Sequence, residues 1–173
     1  MSSTPQPLPR SRDWPSRDLA LWPSAVGFLQ FVSDTAVNKL TGLDEAQARA
    51  TPIPTSPVMS LLGLVKHLTA VQRQHVQRHI GGSDRPSLWR SDDHDFEFRI
   101  GADETIASVI AALDEELALS ITTLQSIDPE QMVTAHDRPV RAGRLFVDVV
   151  QESARHLGHM DIIRELIDGD TGE

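Results

Sequence analysis

Apolar residues recur at three- and four-residue intervals in four stretches of the chain, and that period buries one stripe of a helix. The first stretch runs from about Asp18 to Thr41 and carries Leu21, Ala25, Phe28, Leu29, Val32, Ala36, Val37 and Leu40. Pro23 is tolerable there only in the first turn, and Gly42 is a natural stop. The second runs from about Val58 to Ile80, with Ser56 or Ser60 as N-cap, and Gly81-Gly82 ends it. Its face is Leu61, Leu64, Val65, Leu68, Val71 and Val76. The third is predicted from Asp103 as N-cap to about Ser126, with Ile106, Val109, Ile110, Leu113, Leu117 and Ile121 in register. The fourth runs from about Gly143 to Asp168 and stops at Gly169. Only Phe96 to Ile100 alternates as a strand would, and it is short enough to be an extended loop segment.

Four amphipathic helices without a sheet predict an all-α fold, a four-helix bundle. The connections of about 16, about 22 and about 16 residues exceed the roughly 2–8 residues usual in up-and-down bundles. Long crossover connections are therefore expected, able to join helices that run parallel. Proline placement agrees: of eleven prolines none falls within 58–85, 87–128 or 140–173. Residues 1–16, which hold four of them, read as a flexible arm, and residues 17–173 as the helical domain.

Composition narrows the function. Sixteen Lys and Arg against 25 Asp and Glu give a net charge of −9, which disfavours a nucleic-acid groove or a polybasic membrane patch. No apolar run approaches the roughly 18 residues of a membrane span. The N-terminus lacks the apolar core of a signal peptide, so a cytoplasmic location is expected. With no cysteine there is neither a disulfide framework nor a protein thiol to act as nucleophile. The phosphate-binding loop, the H-E-x-x-H zinc helix, the G-x-S-x-G elbow and the EF-hand are all missing.

Histidine remains. His67 emerges from the apolar stripe of the second helix, among Gly63, Leu64, Leu68 and Val71. In the fourth helix Glu152, His156 and His159 stand at i, i+4 and i+7, with Asp148 one turn earlier on the same line. His67 is near the middle of its helix, and Glu152 and His156 near the middle of theirs, so the two sets share a layer. Buried ionisable groups need partners. A divalent ion accounts for two imidazoles and a carboxylate together, and such a set leaves coordination positions open, as a catalytic metal requires. The other reading is a hydrogen-bonded histidine pair capped by carboxylates. Without thiolate ligands zinc is the default, with nickel, iron and manganese also compatible. His159 and Asp148 would be outer-shell partners or a fourth ligand. His75, His79, His94 and His136 read as surface or loop residues, and 91–95 as a solvated acidic loop. Trp89, Phe96 and Phe98 read as loop packing, and Arg164 with Asp168 as an i, i+4 helix pair.

Two motifs carry a family resemblance. Ser60-Leu61-Leu62-Gly63-Leu64-Val65-Lys66-His67-Leu68, and the run from Glu152-Ser153-Ala154-Arg155-His156-Leu157-Gly158-His159 to Asp168-Gly169, resemble a branch of the DinB-like superfamily in order and spacing. Phe28-Leu29-Gln30-Phe31 through Leu43 resembles it more loosely. The branch resembles mycothiol-dependent maleylpyruvate isomerases and the mycothiol or bacillithiol S-transferases. The resemblance implies a four-helix bundle, often a homodimer, that holds a metal on His67, Glu152 and His156 and uses a small external thiol, mycothiol by preference. Glu152 stands where many members have histidine, as in the isomerase branch. Gln72, His75 and Asp148 depart from residues common in relatives, at positions that bear on the substrate pocket. The expected activity is S-transfer to, or isomerisation of, a small electrophile, with Arg155 and Arg164 as anion contacts. The alternatives are a non-catalytic metal-binding, interaction or stress-response bundle, and a metal-dependent hydrolase.

Overall fold

The computed structural model describes residues 7–171. It is mostly helical: α1 Leu21–Asn38, a short α2 Glu45–Arg49, α3 Leu61–Val71, α4 Ile106–Ser126 and α5 Ala142–Asp168. The helix begun by α3 continues without a break as a π-helix, Gln72–Ile80, and a single 3-10 turn covers Phe96–Phe98. Two strands, β1 Met132–Ala135 and β2 Arg138–Arg141, form an antiparallel hairpin.

Local chemistry sets most of these boundaries. The Ser60 hydroxyl accepts from the Gly63 amide and caps α3. Thr105 and Ser108 form a reciprocal capping box, so the N-cap of α4 is Thr105, two residues after the expected Asp103. Gly169 closes α5 with φ 80°, a left-handed conformation that glycine adopts freely. The end of α1 is capped from a distance. Arg164 Nη1 donates to the carbonyls of Lys39 (3.0 Å) and Thr41 (2.9 Å), satisfying acceptors that a helix end leaves open. Its remaining nitrogens hold Asp168, so this buried guanidinium is committed to structure and not to an anion.

Two apolar clusters hold the molecule together. One joins Val37 of α1 and Leu40, just past its end, to Leu61 and Leu64 of α3, Val109 and Leu113 of α4, and Met160 and Ile163 of α5. The other joins Val26 and Leu29 to Val76 and Ile80, Leu117 and Leu124, and Phe146 and Val149. The pairing of ends shows α3 and α4 running in the same direction, opposite to α1 and α5. Consecutive parallel helices need a long connection, and residues 81–105 provide it. Between the apolar layers lies a polar one, with Ser33, Gln72, Glu116, Ser120, Ser153, His67 and His156 all buried.

Two expectations change. The hairpin replaces what read as an unstructured connection; its strands are four residues long, one contains Pro139, and its turn lacks the glycine that usually marks such hairpins. Phe96–Phe98 is a helical turn, not an extended segment. Of the arm, residues 1–6 lie outside the described residues, whereas the stretch from residue 7 lies against α1. The Arg10 backbone exchanges hydrogen bonds with the Asn38 amide group, its guanidinium binds Asp34 and Asp114, and the Trp14 ring packs on Phe28 and Phe31. Among the described residues no helix is long and apolar enough to cross a membrane.

Candidate metal centre

Gly63 is where the site is built. A Cβ there would stand 2.4 Å from the Phe98 carbonyl oxygen, so only glycine lets the 96–98 turn press so closely on α3. That approach lays the Phe98 ring flat on the His67 imidazole, with centroids 4.2 Å apart and planes 13° apart. It also brings Glu97, 8% exposed, to the other edge of the ring: Oε1 is 3.6 Å from His67 Nδ1.

From α5 come Glu152 and His156. Glu152 Oε1 lies 2.9 Å from His156 Nε2 and 3.5 Å from His67 Nε2, and Arg155 donates to the same oxygen. The two imidazoles meet edge to face at 4.7 Å. One donor atom from each of His67, Glu152 and His156 lies within 4.8 Å of the other two. Ligands about 2.0–2.1 Å from a tetrahedral ion would stand about 3.3 Å apart, so small side-chain movements complete such a shell. His67 and His156 are each only 6% exposed. Both ring nitrogens of His67 are buried without a hydrogen-bond partner, although two carboxylates face them. A buried imidazole in that condition is under-satisfied, and an ion on Nε2 with Nδ1–H turned to Glu97 would satisfy both. The donor set fits a divalent transition metal.

The charge states suit that role. Burial pushes His67 down to about 4, with the neighbouring His156 adding to it. Burial likewise lowers His156, against the pull of Glu152. Burial would raise Glu152, but hydrogen bonds from Arg155 and His156 outweigh it and hold the carboxyl below its ordinary value. At neutral pH the set is therefore two neutral imidazoles and a carboxylate, the forms that ligate. Glu97 is shifted up, chiefly by burial.

A stability consequence follows for the metal-free chain. His67 is neutral when folded down to about pH 4, whereas an unfolded histidine takes its proton near 6.5. The unfolded state then binds the extra proton, so stability is full above 6.5 and drains away as pH falls toward 4. The slope is about 1.4 kcal/mol per pH unit for each such proton. Urea titrations in chelator from pH 7 to pH 4 should show that decline, and His67→Asn should make it shallower by one proton's share, with His75 and His156, also lowered by burial, carrying part of the rest.

The other expected residues divide. His159 Nδ1 lies 3.3 Å from His156 Nδ1, on the far side of that ring from Glu152. Asp148 is exposed and tied to Arg144 at 2.6 Å, outside the cluster. Arg155 is exposed beside Glu152. His75, His79 and His136, expected as surface or loop residues, stand together. Trp89 packs on His75. Glu97 was not foreseen, since only the close approach at Gly63 reveals it.

The sequence profile of the family described as mycothiol-S-transferase matches residues 24–169. No curated protein matches the chain. Among solved structures, the crystal structure of the conserved protein of locus from Enterococcus faecalis superposes with a TM-score of 0.61 at 17% identity. The match covers 88% of this chain and 99% of that one, a likeness of fold.

Proposed function

Because the chain belongs to the mycothiol-S-transferase family, we propose that it is a metal-dependent transferase joining a small external thiol, mycothiol or a close analogue, to a small electrophile. The reading includes a four-helix bundle that pairs as a homodimer, acts in the cytoplasm and binds neither nucleic acid nor membrane. The observation that carries it is the buried, partnerless imidazole of His67 facing Glu152 and His156, in a chain with no thiol of its own.

In this reading His67 Nε2, Glu152 Oε1 and His156 Nε2 hold a divalent cation, zinc by default. A cation bound there supplies electrostatic stabilisation of a thiolate, and with it a sulfur nucleophile at neutral pH. Glu97 accepts from His67 Nδ1 and fixes its ring, Phe98 covers the face of that ring, and His159 steadies Nδ1 of His156. Arg155, exposed at the mouth, offers an anion contact. The thiol gives up its proton to solvent, its sulfur forms a bond to an electrophilic carbon, and the leaving group departs with the electron pair of the bond it breaks. In addition to a conjugated double bond, the adjacent carbon instead takes a proton; reversal after rotation isomerises the substrate.

Incubation of zinc-loaded and chelator-treated protein with mycothiol and a chloro-dinitrobenzene tests the proposal. Thiol consumption should require the metal, with chloride released in equal amount. Electrophile loss in the absence of any thiol would instead indicate a metal-dependent hydrolase. Equal rates with and without metal would leave a binding or interaction bundle.

A further inference from the structure

Two helical turns from His67, a second set of imidazoles converges that the proposed reaction does not use. His75 and His79 stand four residues apart on the π-helix, and His136 lies over them from the hairpin tip. The ring centroids are 5.8 Å apart for His75 and His79, 5.9 Å for His75 and His136, and 5.1 Å for His79 and His136. One ring nitrogen from each lies within 4.8 Å of the other two.

The backbone is arranged for this meeting. Pairing of Ala135 with Arg138 leaves His136 and Asp137 as a two-residue turn, with φ of 50° and 60°. A hairpin of this length needs left-handed residues, and glycine or asparagine normally supplies them. Here a histidine is held in that conformation, with its ring toward the π-helix. His75 Nδ1 is buried with no hydrogen-bond partner, and the edge of Trp89 walls the site at 5.4 Å. Gln74 Nε2 is 3.0 Å from His79 Nε2. Burial and the neighbouring imidazoles push His75 down to about 4 and also lower His79, so both are neutral at pH 7.

We propose that His75, His79 and His136 form a second site for a divalent transition-metal ion, one that pins the β-hairpin to the π-helix. Three imidazole donors favour zinc, copper or nickel over magnesium or calcium. The donors need to close to about 3.3 Å, and the hairpin tip is the part that moves, since His136 is exposed. Eight residues from His67 to His75 correspond to about 12 Å along a helix, far beyond the roughly 3.5–4 Å of a bridged pair of metals. The two sites share no ligand, although the charge of Glu152 reaches His75.

Zinc chloride titrated calorimetrically into tag-free, chelator-treated protein tests it, with elemental analysis after desalting. Wild type should take two zinc ions per chain. His136→Asn, which keeps a residue tolerant of the left-handed turn, should lose one of them, its affinity falling at least about a hundredfold. A Glu152→Gln/His156→Ala chain should keep the ion that His136→Asn loses. Zinc should slow amide exchange in 132–141 of wild type but not of His136→Asn. Identical stoichiometry and affinities in wild type and His136→Asn would overturn the proposal. One ion in wild type and none in His136→Asn would support it while removing the first site.

Discussion

His156→Ala should lower metal-dependent thiol transfer by roughly a thousandfold or more, with far-UV circular dichroism unchanged. Loss of an outer-shell partner typically costs 10- to 100-fold in metal affinity or activity, and His156 is read as a direct ligand. The substitution deletes one of three donors and the hydrogen bond that draws Glu152 Oε1 toward the site. Glu152 keeps its contact with Arg155, so the carboxylate would swing toward solvent, and His67 alone holds metal poorly. The same logic predicts a graded series. Glu97→Gln, which weakens only the contact to His67 Nδ1, should cost about 10- to 100-fold in zinc affinity. Comparable loss in both variants would mean that Glu97 is itself a ligand. No loss in His156→Ala would mean that the reaction, if any, lies elsewhere.

The largest effect on stability is expected at Arg73. Glu116, on α4, is fully buried, and its Oε2 is held by Arg73 Nε at 2.7 Å and Nη2 at 2.6 Å, with Arg85 Nη1 at 3.1 Å. Arg73→Ala leaves a buried carboxylate with one partner, itself half committed to Glu115. Breaking a buried pair by removing one member costs about 3–5 kcal/mol, whereas replacing both by apolar residues of similar size is often near neutral. In a chain of this length each kcal/mol shifts the midpoint by about 2–4 °C. Arg73→Ala should therefore melt about 10 °C or more below wild type, and Arg73→Met/Glu116→Met should recover most of that. A single-variant shift under about 2 °C would show that water or Arg85 compensates the charge.

How far the sequence reveals this architecture depends on the range of the interaction that decides each feature. His67, Glu152 and His156 are legible because helix periodicity alone sets which face each occupies. The parallel run of α3 and α4 is permitted by the length of the intervening chain. Glu97 is not legible, since its position depends on the turn at 96–98 meeting Gly63 some 35 residues away. Nor is the trio of His75, His79 and His136, because it requires both the π-helix and a hairpin whose strand signal Pro139 and a glycine-free turn obscure. Arg164 looks like half of an i, i+4 pair; its caps on the Lys39 and Thr41 carbonyls appear only when α1 and α5 are packed. Asp148 shares the helix face of Glu152 by period, yet Arg144 draws it outward. Short-range patterns locate candidate ligands, and long-range packing chooses their partners.

Anomalous diffraction from zinc-soaked crystals is the most direct measurement of the central assignment. A peak should stand about 2.0–2.2 Å from His67 Nε2, a Glu152 carboxylate oxygen and His156 Nε2 together. Full zinc occupancy elsewhere, with no peak among these three and the His67 ring still stacked on Phe98, would contradict it.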